Sequence, residues 1–205
     1  DLGGEPLDPR VRKSFEEGLK VFESMGSELI EDCIDFSEAH YLIRILRSLK
    51  FAAQADRLKN HRDQLKPEII WNIETGLKLT GEEIAKAELI RAKLYNDTAE
   101  FFNKYDLFIC PTVMVPPFDV EIRYLDEVEG VKFDDYITWL YYTHSLTLTS
   151  SPSVSLPCSF TDDGLPIGIQ LVTECNNEYD LLSFSQSFEN HNTNTIQTPI
   201  DPIVK

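Results

Sequence analysis

The sequence predicts an α/β fold in which a mixed β-sheet is covered by α-helices. Three observations support this class: an amphipathic helix pattern near the N-terminus, a short apolar run at Leu107–Cys110, and two apolar runs at residues 154–160 and 165–172 joined by a turn. Short apolar runs between turn signals are typical of strands. Helical and strand-like segments that follow one another favour helices packed on a sheet.

The first predicted helix begins at Asp8 and Pro9. A carboxylate here can accept from the free N–H groups of the first turn, and proline has no N–H to lose there. Apolar residues at intervals of three and four extend the helix to Met25, and Gly26 suits the left-handed residue that follows it. A short strand is expected next, at Ser27–Ile30. The apolar stripe consists of Val11, Phe15, Leu19 and Phe22.

Three more helices are expected before the first buried strand. A long helical pattern covers residues 38–60, and a second helix covers residues 67–76. Thr80 and Glu83 form a capping box, in which each side chain bonds the backbone N–H of the other, for a helix that reaches Tyr105. These helices are expected to cover the sheet.

The second half of the chain alternates strands, loops and helices. Leu107–Cys110 is apolar throughout and is stopped by Pro111, which is typical of a strand buried on both faces. Residues 113–133 combine prolines with acidic residues and are expected to form a loop. Helices are expected over residues 134–145 and 178–190. The predicted apolar contacts of the last helix are Tyr179, Leu182 and Phe188.

The stretch Pro152–Val172, PSVSLPCSFTDDGLPIGIQLV, predicts a β-hairpin. Its Asp-Gly pair suits a tight turn, because glycine has no Cβ to clash at positive φ and aspartate tolerates that region. Pro157 and Pro166 lack an N–H, so they are expected at strand ends or on an edge strand.

This hairpin resembles the C-terminal half of the amidase signature family, whose members are serine hydrolases of carboxamides. The resemblance extends to the DLFICPT strand at Asp106–Thr112, to the segment from Asp1 to Arg12, and to the helical segment Lys66–Arg91. It therefore covers roughly residues 1–190 and implies an amidase-signature-like mixed sheet, present here as part of a larger domain. It also implies hydrolysis of a carboxamide through an acyl-serine intermediate.

Family members use a lysine, a serine with a cis peptide bond and a nucleophilic serine within a glycine- and serine-rich segment. Lysine can accept a proton through the bridging serine, and glycines let backbone N–H groups approach the oxyanion. The chain has no such segment. Lys132, Ser150 and Ser151 have the right order, but the serines are adjacent and no glycines surround them, which favours loop serines with local hydrogen bonds. No catalytic residue is therefore assigned in this chain.

One segment departs from the family pattern. Leu146-Thr-Leu-Thr-Ser150 stands where members more usually have Phe-Asn-Leu-Thr-Gly. Thr147 in place of the asparagine puts the local hydrogen bonding in doubt, without challenging the fold.

Three residues are candidates for substrate binding. The resemblance places the aromatic region before residue 146 against the acyl side of the substrate pocket, and helical spacing puts Tyr136, Trp139 and Thr143 on one face. Aromatics at this spacing are more often core residues than pocket walls. Thr112 ends a strand that could face the same cleft. The substrate-binding prediction is therefore Thr112, Trp139 and Thr143, and His144 is noted because it adjoins this wall.

The composition argues against several classes of function. A net charge of −16 over 205 residues repels phosphate backbones, so direct binding of nucleic acid is not expected. The four cysteines and four histidines show no metal-ligand spacing, so no metal or cofactor is expected, and Cys110 and Cys158 are interpreted as buried apolar residues. The sequence has neither a long apolar run nor a signal-peptide layout, which predicts a soluble, cytoplasmic protein unless a signal precedes Asp1.

The chain begins with Asp1, and the resemblance opens partway through a family member, so we interpret the chain as the C-terminal part of a longer polypeptide. Residues 1–190 are assigned to the amidase-like domain and residues 191–205 to a polar tail. The expected partners are a small-molecule amide substrate and the N-terminal part of the same enzyme, and a homo-oligomer is left open. Two alternatives remain: a non-catalytic binding or structural module, and the amidase subunit of a tRNA-dependent amidotransferase.

Overall fold

The computed structural model describes residues 2–193, and it confirms an α/β fold with helices packed on a sheet. The α-helices are α1 (Pro9–Ser24), α2 (Ala39–Ala52), α3 (Ala55–His61), α4 (Pro67–Gly76), α5 (Gly81–Phe102), α6 (Tyr141–Thr147) and α7 (Glu178–His191). The strands are β1 (Phe108–Pro111), β2 (Glu127–Val128), β3 (Val131–Lys132), β4 (Ser153–Phe160) and β5 (Pro166–Val172). Two 3-10 helices lie at Arg62–Gln64 and Thr138–Leu140.

The main sheet has the strand order β1-β5-β4, and both pairings are antiparallel. In the middle of the sheet Ile169 of β5 lies opposite Pro111 on one side and Leu156 on the other. β1 and β4 are therefore parallel to each other but separated by β5. A mixed sheet would need a parallel neighbour, and residues 2–193 do not provide one.

The predicted hairpin is confirmed as β4 and β5. Gly164 has φ +86° in the turn, where its N–H donates to the Thr161 carbonyl over 2.8 Å. Pro166 is the first residue of β5. Pro157 lies in β4, an edge strand of the described sheet, where the register shifts between Pro157 and Ser159. Both prolines thus occupy positions where a missing N–H costs no ladder hydrogen bond.

The helix starts at α1 and α5 form as predicted. The Asp8 carboxylate accepts from the Arg10 N–H over 2.8 Å, with Pro9 in the first turn of α1. Thr80 and Glu83 form the complete capping box of α5. Local side-chain chemistry thus marks both helix starts, and at α1 a hydrogen bond from the Asp8 N–H to the Met114 carbonyl adds to it.

Two predictions in the first third of the chain are wrong. No strand forms at Ser27–Ile30, where Leu29 and Ile30 are exposed and acidic residues follow, so the short apolar pair has no neighbouring strand to join. The helix predicted over residues 38–60 is divided into α2 and α3. Gln54 lies at the break, and its carbonyl accepts from Arg57 and Leu58 at the start of the new helix.

Residues 113–133 contain one small hairpin that the sequence did not predict. β2 and β3 pair through the two-residue turn Glu129-Gly130, in which both residues have positive φ. Such a turn matches the twist of a tight hairpin. Each strand has only two residues, too few for an apolar alternation to be visible in the sequence.

The last two predicted helices differ in detail. A continuous helix over residues 134–145 is wrong, because the chain first turns at Asp135, forms a 3-10 helix and continues as α6. α7 forms, but Tyr179 is 81% and Leu182 64% exposed, so they are not its core contacts. The inward residues are Leu181 and Phe188, and only Phe188 was predicted.

The sheet separates two apolar clusters. α1 and α7 cover one face, where Phe22 stacks on Phe188 with ring centroids 5.0 Å apart. On the other face Phe108, Cys110 and Val172 join the larger cluster built with α2, α5 and α6. That cluster covers β1 but stops before β4. The face of β4 that carries Ser153 and Ser155 is therefore open to solvent.

The predicted tail from residue 194 onward lies outside the described residues. His191 ends α7, and Asn192 is buried, with its side-chain amide donating to the Pro157 and Cys158 carbonyls over 3.1 and 2.9 Å. The proposed boundary at residues 190 and 191 remains a prediction.

Candidate functional site

Thr112 directly follows β1 and meets Ser155 of β4 across the middle strand of the sheet. Their Oγ1 and Oγ atoms lie 2.8 Å apart. Gly168 of β5 lies beneath them, and a Cβ at Gly168 would stand 2.8 Å from Thr112 Oγ1 and 2.9 Å from Ser155 Oγ. The two hydroxyls, called the hydroxyl pair below, can meet only because residue 168 has no side chain.

The hydroxyl pair can bind a polar ligand without carrying charge. When one hydroxyl donates to the other, one O–H remains free to donate outward, and both oxygens keep acceptor capacity. Ser155 is exposed and Thr112 is half-buried. No acidic, basic or histidine side chain hydrogen-bonds to either residue within the described part of the chain. The pair can therefore orient a carbonyl or an N–H group, but it lacks a base that would turn either hydroxyl into a nucleophile.

Gln170 lies two residues beyond Gly168 on β5, on the same face of the sheet as the hydroxyl pair. It lies directly opposite Ser155 in the strand register, so the two side chains are on the same face of the sheet. Gln170 is buried, and its Oε1 atom accepts no hydrogen bond. A buried carbonyl without a donor costs free energy, of the order of 1–3 kcal/mol. The Gln170 oxygen is therefore an unpaired acceptor that lies below the surface of this face of the sheet.

The structure does not bring the three predicted substrate-binding residues together in one site. Trp139 lies in the 3-10 helix, half-buried on the larger cluster, with its ring against Phe118 at a centroid distance of 5.7 Å. The Thr143 hydroxyl donates to the Leu140 carbonyl over 2.8 Å. Within residues 2–193, no hydrogen bond joins Thr112 to Thr143 or Trp139. Their shared role remains a prediction.

The aromatic residues around Trp139 divide into core and half-buried positions. Tyr141 and Tyr142 are buried, and the Tyr141 hydroxyl donates to the Phe36 carbonyl over 2.8 Å. Tyr136 precedes the helical part, so the helical spacing used to place it beside Trp139 does not apply. Its hydroxyl instead accepts from Arg47 and Asn72.

Two histidines lie close together behind this segment. His40 and His144 have ring centroids 5.5 Å apart, and Tyr141 contacts both rings. Burial, assisted by His40, lowers the pKa of His144 to about 3. Burial also lowers the pKa of His40, against the attraction of the Asp135 carboxylate. Both ring nitrogens of His144 are buried without a hydrogen bond. His144 is therefore a buried, neutral packing residue.

The Lys132, Ser150 and Ser151 alternative gains no support from the structure. Lys132 is exposed on β3, and no hydrogen bond connects it to either serine in the described residues. Ser150 is exposed and has φ +65°, while the Ser151 N–H donates to the Thr149 hydroxyl. The bond from the Ser151 N–H is a local loop interaction, whereas the buried Ser151 hydroxyl has no hydrogen-bond partner among the described residues.

The two buried cysteines, Cys110 and Cys158, are not reactive centres. Cys110 and Cys158 are buried as predicted, and all four cysteines are free. Burial raises the thiol pKa of Cys158 to about 12 and raises that of Cys110 further. Since the thiolate is the reactive form, these thiols are inert at neutral pH. No three His, Cys, Asp or Glu side chains of residues 2–193 lie close enough together to hold a metal ion.

A separate cleft of about 210 Å³ lies at the other end of the sheet, between α5 and the loops that flank β4 and β5. None of Thr112, Trp139 and Thr143 lines it. Its lining residues are Tyr95, Thr98, Ala99, Phe102, Thr149, Ser151, Glu174, Cys175 and Asn176.

Sequence reasoning missed Ser155, Gly168 and Gln170. The alternation of small polar and apolar residues in SVSL indicates that Ser153 and Ser155 face away from the core. It does not show which residue of β5 lies between Ser155 and Thr112, because the register shift at Pro157 changes the pairing.

Comparison with known proteins identifies relatives over nearly the whole chain. A family model described as Amidase matches residues 1–182. The chain is similar to an acylamidase of Rhodococcus erythropolis, with 24% identity over 208 residues that cover the whole chain and 43% of that protein. It is also similar to one subunit of the glutamyl-tRNA(Gln) amidotransferase of Clostridium acetobutylicum, with 26% identity over 192 residues, 81% of this chain and 39% of that protein.

Solved structures show the same fold. A bacterial aryl acylamidase described as an amidase signature enzyme superposes with a TM-score of 0.79 at 19% identity, over 93% of this chain and 42% of the other. A 6-aminohexanoate cyclic dimer hydrolase superposes with a TM-score of 0.78 at 18% identity, over 97% of this chain and 44% of the other. The chain thus spans about two fifths of the length of the curated relatives it matches. Within residues 2–193, no helix has the length and apolar character that crossing a membrane requires.

Proposed function

The chain belongs to the amidase signature family, and on this premise we propose that it is the C-terminal part of an amidase that hydrolyses a carboxamide C–N bond through an acyl-serine intermediate. The two serines and the lysine of the reaction lie outside these residues. The observation that carries the proposal is the family match over residues 1–182, in a chain that spans about two fifths of its relatives.

In this proposal the chain supplies part of the sheet, its covering helices and part of the substrate pocket. Thr112 and Ser155 offer an outward O–H and acceptor oxygens to the polar part of the amide. Trp139 offers an aromatic surface to the acyl part, and Thr143 lies one helical turn further on. These contacts bind and orient the substrate, so the chemical step depends on groups elsewhere in the protein.

The test compares the full-length protein with the isolated chain. Turnover of a generic p-nitroanilide and labelling by a serine-directed fluorophosphonate are expected for the full-length protein, with the label outside the residues of this chain. Neither is expected for the chain alone. Specific labelling of a serine within these residues would contradict the proposal.

The pocket is tested by matched threonine variants in the full-length protein. Thr143→Val is expected to raise KM with little change in kcat, because it removes a binding contact and no reacting group. Thr147→Val is the control, since its exposed hydroxyl donates to the Thr143 carbonyl in a similar helical setting. Thr112→Val and Trp139→Ala are expected to behave like Thr143→Val. Equal KM values for all variants and the wild type would remove these residues from the pocket.

A second candidate is the amidase subunit of a tRNA-dependent amidotransferase. It is favoured by the similarity to subunits of glutamyl-tRNA(Gln) amidotransferases, including one of Clostridium botulinum that is 28% identical over 215 residues. This candidate predicts partner subunits that co-purify with the full-length protein. A full-length protein that purifies alone and hydrolyses the p-nitroanilide supports the first candidate, whereas a protein with neither activity nor partners fits the non-catalytic module.

Location and self-association remain proposals as well. We keep a cytoplasmic location as the prediction, which microscopy of a tagged full-length protein checks. Light scattering of the full-length protein decides whether it forms a homo-oligomer.

A further inference from the structure

Asp135 ties the segment that carries Trp139 and Thr143 to helix α2. Its Oδ1 atom accepts from the N–H groups of Ile137 and Thr138, over 2.9 and 3.1 Å, and from the Thr138 hydroxyl over 3.1 Å. Its Oδ2 atom lies 3.2 Å from Nε of Arg44 on α2. The carboxylate is 7% exposed. One buried side chain therefore both starts the 3-10 helix and binds it to a neighbouring helix.

Tyr136 connects the same segment to helices α2 and α4. Its hydroxyl accepts from Arg47 of α2 over 3.0 Å and from the side-chain amide of Asn72 of α4, which is fully buried. Its ring packs edge-on against Trp71, with centroids 5.8 Å apart. Consecutive residues thus contact two different helices through buried polar groups.

The segment after them cannot fix its own orientation. The 3-10 helix Thr138–Leu140 has three residues and α6 has seven, and helices this short are unstable without tertiary contacts. Residues 113–133, which precede it, contain only the small hairpin of β2 and β3 among their regular elements. The orientation of Trp139 therefore depends on the contacts at Asp135 and Tyr136, together with the buried tyrosines of α6.

We propose that Asp135 and Tyr136 are positioning residues that set the acyl selectivity of the pocket by holding Trp139 and Thr143 against α2 and α4. The inference rests on the proposed function, because it takes Trp139 and Thr143 as pocket residues. Neither positioning residue touches the reacting atoms. Their effect is expected on binding of the acyl group, and not on the rate of bond cleavage.

The surroundings allow both residues to be changed without loss of the fold. Arg44 is about half exposed, so water can solvate its guanidinium once Asp135 is removed. The Asn72 amide keeps the Glu68 carbonyl as an acceptor, at 2.7 Å, once the Tyr136 hydroxyl is removed. Arg47 keeps its contact with the Phe51 ring. Asp135→Ala leaves no buried charge, whereas Tyr136→Phe removes the hydrogen bond of Arg47, whose Nε atom is already buried without a partner among the described residues.

The kinetic experiment uses the full-length protein and two p-nitroanilides, one with an acetyl group and one with a larger aromatic acyl group. Asp135→Ala and Tyr136→Phe are expected to change the ratio of kcat/KM between the substrates about five- to thirtyfold, the range that 1–2 kcal/mol corresponds to. The change is expected in KM of the larger substrate. Asp134→Ala is the control, since its side chain is exposed one residue away. Asp135→Asn is expected to recover most of the selectivity, because its amide oxygen can still accept from Ile137 and Thr138.

A second measurement does not depend on activity. Hydrogen exchange of the full-length protein is expected to rise about five- to thirtyfold for the amides of residues 137–147 in Asp135→Ala, and to remain unchanged in Asp134→Ala. Unchanged exchange in Asp135→Ala overturns the inference. An unchanged selectivity ratio in both variants of an active protein overturns it too, as does an equal loss on both substrates. A wild-type protein that hydrolyses no amide refutes the proposed function instead, and exchange then still decides whether Asp135 holds the segment.

Discussion

The contact between α2 and α4 leaves no room for a side chain at Gly76, and Gly76→Ala is expected to destabilise the protein. A Cβ there would lie 2.0 Å from the backbone oxygen of Ser48 and 3.0 Å from Cβ of Ala52. A Cβ atom does not come closer than about 3 Å to another heavy atom, so helices α2 and α4 must move apart by about 1 Å. The obstacle is backbone within a helix, which cannot rotate aside. Buried Ile73 of α4 and Ser48 of α2 would then lose packing.

The expected magnitude follows from two opposing effects. Overpacking of a tight site costs about 1–3 kcal/mol, and the better helix propensity of alanine recovers up to about 1 kcal/mol. Because the clash is with backbone, we expect a net loss of about 2 kcal/mol. Gly81→Ala is the matched control: Gly81 is also helical, in α5, and has no atom within 4 Å of its added Cβ. It is expected to raise stability by up to about 1 kcal/mol.

Urea unfolding followed by circular dichroism measures both variants. A lower midpoint with an unchanged slope is expected for Gly76→Ala, since the change concerns stability and not the surface exposed on unfolding. Adding Ala52→Gly is expected to restore little, because it leaves the Ser48 carbonyl in place. If Gly76→Ala is as stable as the wild type while Gly81→Ala behaves as expected, the helices can separate freely and the reasoning is refuted.

Three further predictions concern the hydroxyl pair, the loop before β4 and the buried histidines. Gly168→Ala is expected to cost only about 0.5–1.5 kcal/mol, because the hydroxyls can rotate, but to raise KM of the full-length enzyme; an unchanged KM contradicts this. Ser150→Gly is expected to raise the unfolding free energy by roughly 1 kcal/mol, since residue 150 has φ +65°, and a lower urea midpoint would disprove it. Below about pH 6.5 the unfolded chain binds protons at His40 and His144 that the folded state rejects, so stability is expected to fall as pH drops toward 3, by up to about 1.4 kcal/mol per pH unit for His144. As pH is lowered, the urea midpoint of His144→Leu should fall less steeply than that of the wild type. The same dependence of the midpoint on pH in both proteins would show that the His144 ring is solvated.

The elements that local chemistry specifies are the ones the sequence predicts well. The cap at Asp8, the capping box of Thr80 and Glu83, and the turn at Gly164 each depend on residues a few positions apart. The predicted strand at Ser27–Ile30 failed because a strand needs a partner, and no local feature supplies one. The sequence likewise does not predict the break at Gln54, because the residues on both sides of it favour a helix.

The candidate site was predicted only in part, because its geometry is set by contacts between distant residues. The sequence predicts a substrate-binding role for Thr112 from its place after an apolar strand, and that role stays a prediction. Ser155 and Gly168 lie next to Thr112 because three strands align, and one register shift in β4 sets that alignment. The sequence predicts Asp135 as part of a helix, whereas in the structure it precedes the 3-10 helix and pairs with Arg44, far away in the sequence.

The hydrogen bonds from Asn192 to β4 affect whether a further strand can pair with this edge of the described sheet. Edge strands expose unpaired backbone groups that can recruit strands from other molecules. At Pro157 and Cys158 this hazard is reduced in three ways, because proline offers no donor, the register shift bends the strand, and the Asn192 amide already occupies both carbonyls. An incoming strand would find a continuous ladder only along the first half of β4. Asn192, directly after α7, therefore limits strand pairing along the second half of β4, which is an edge strand among the described residues.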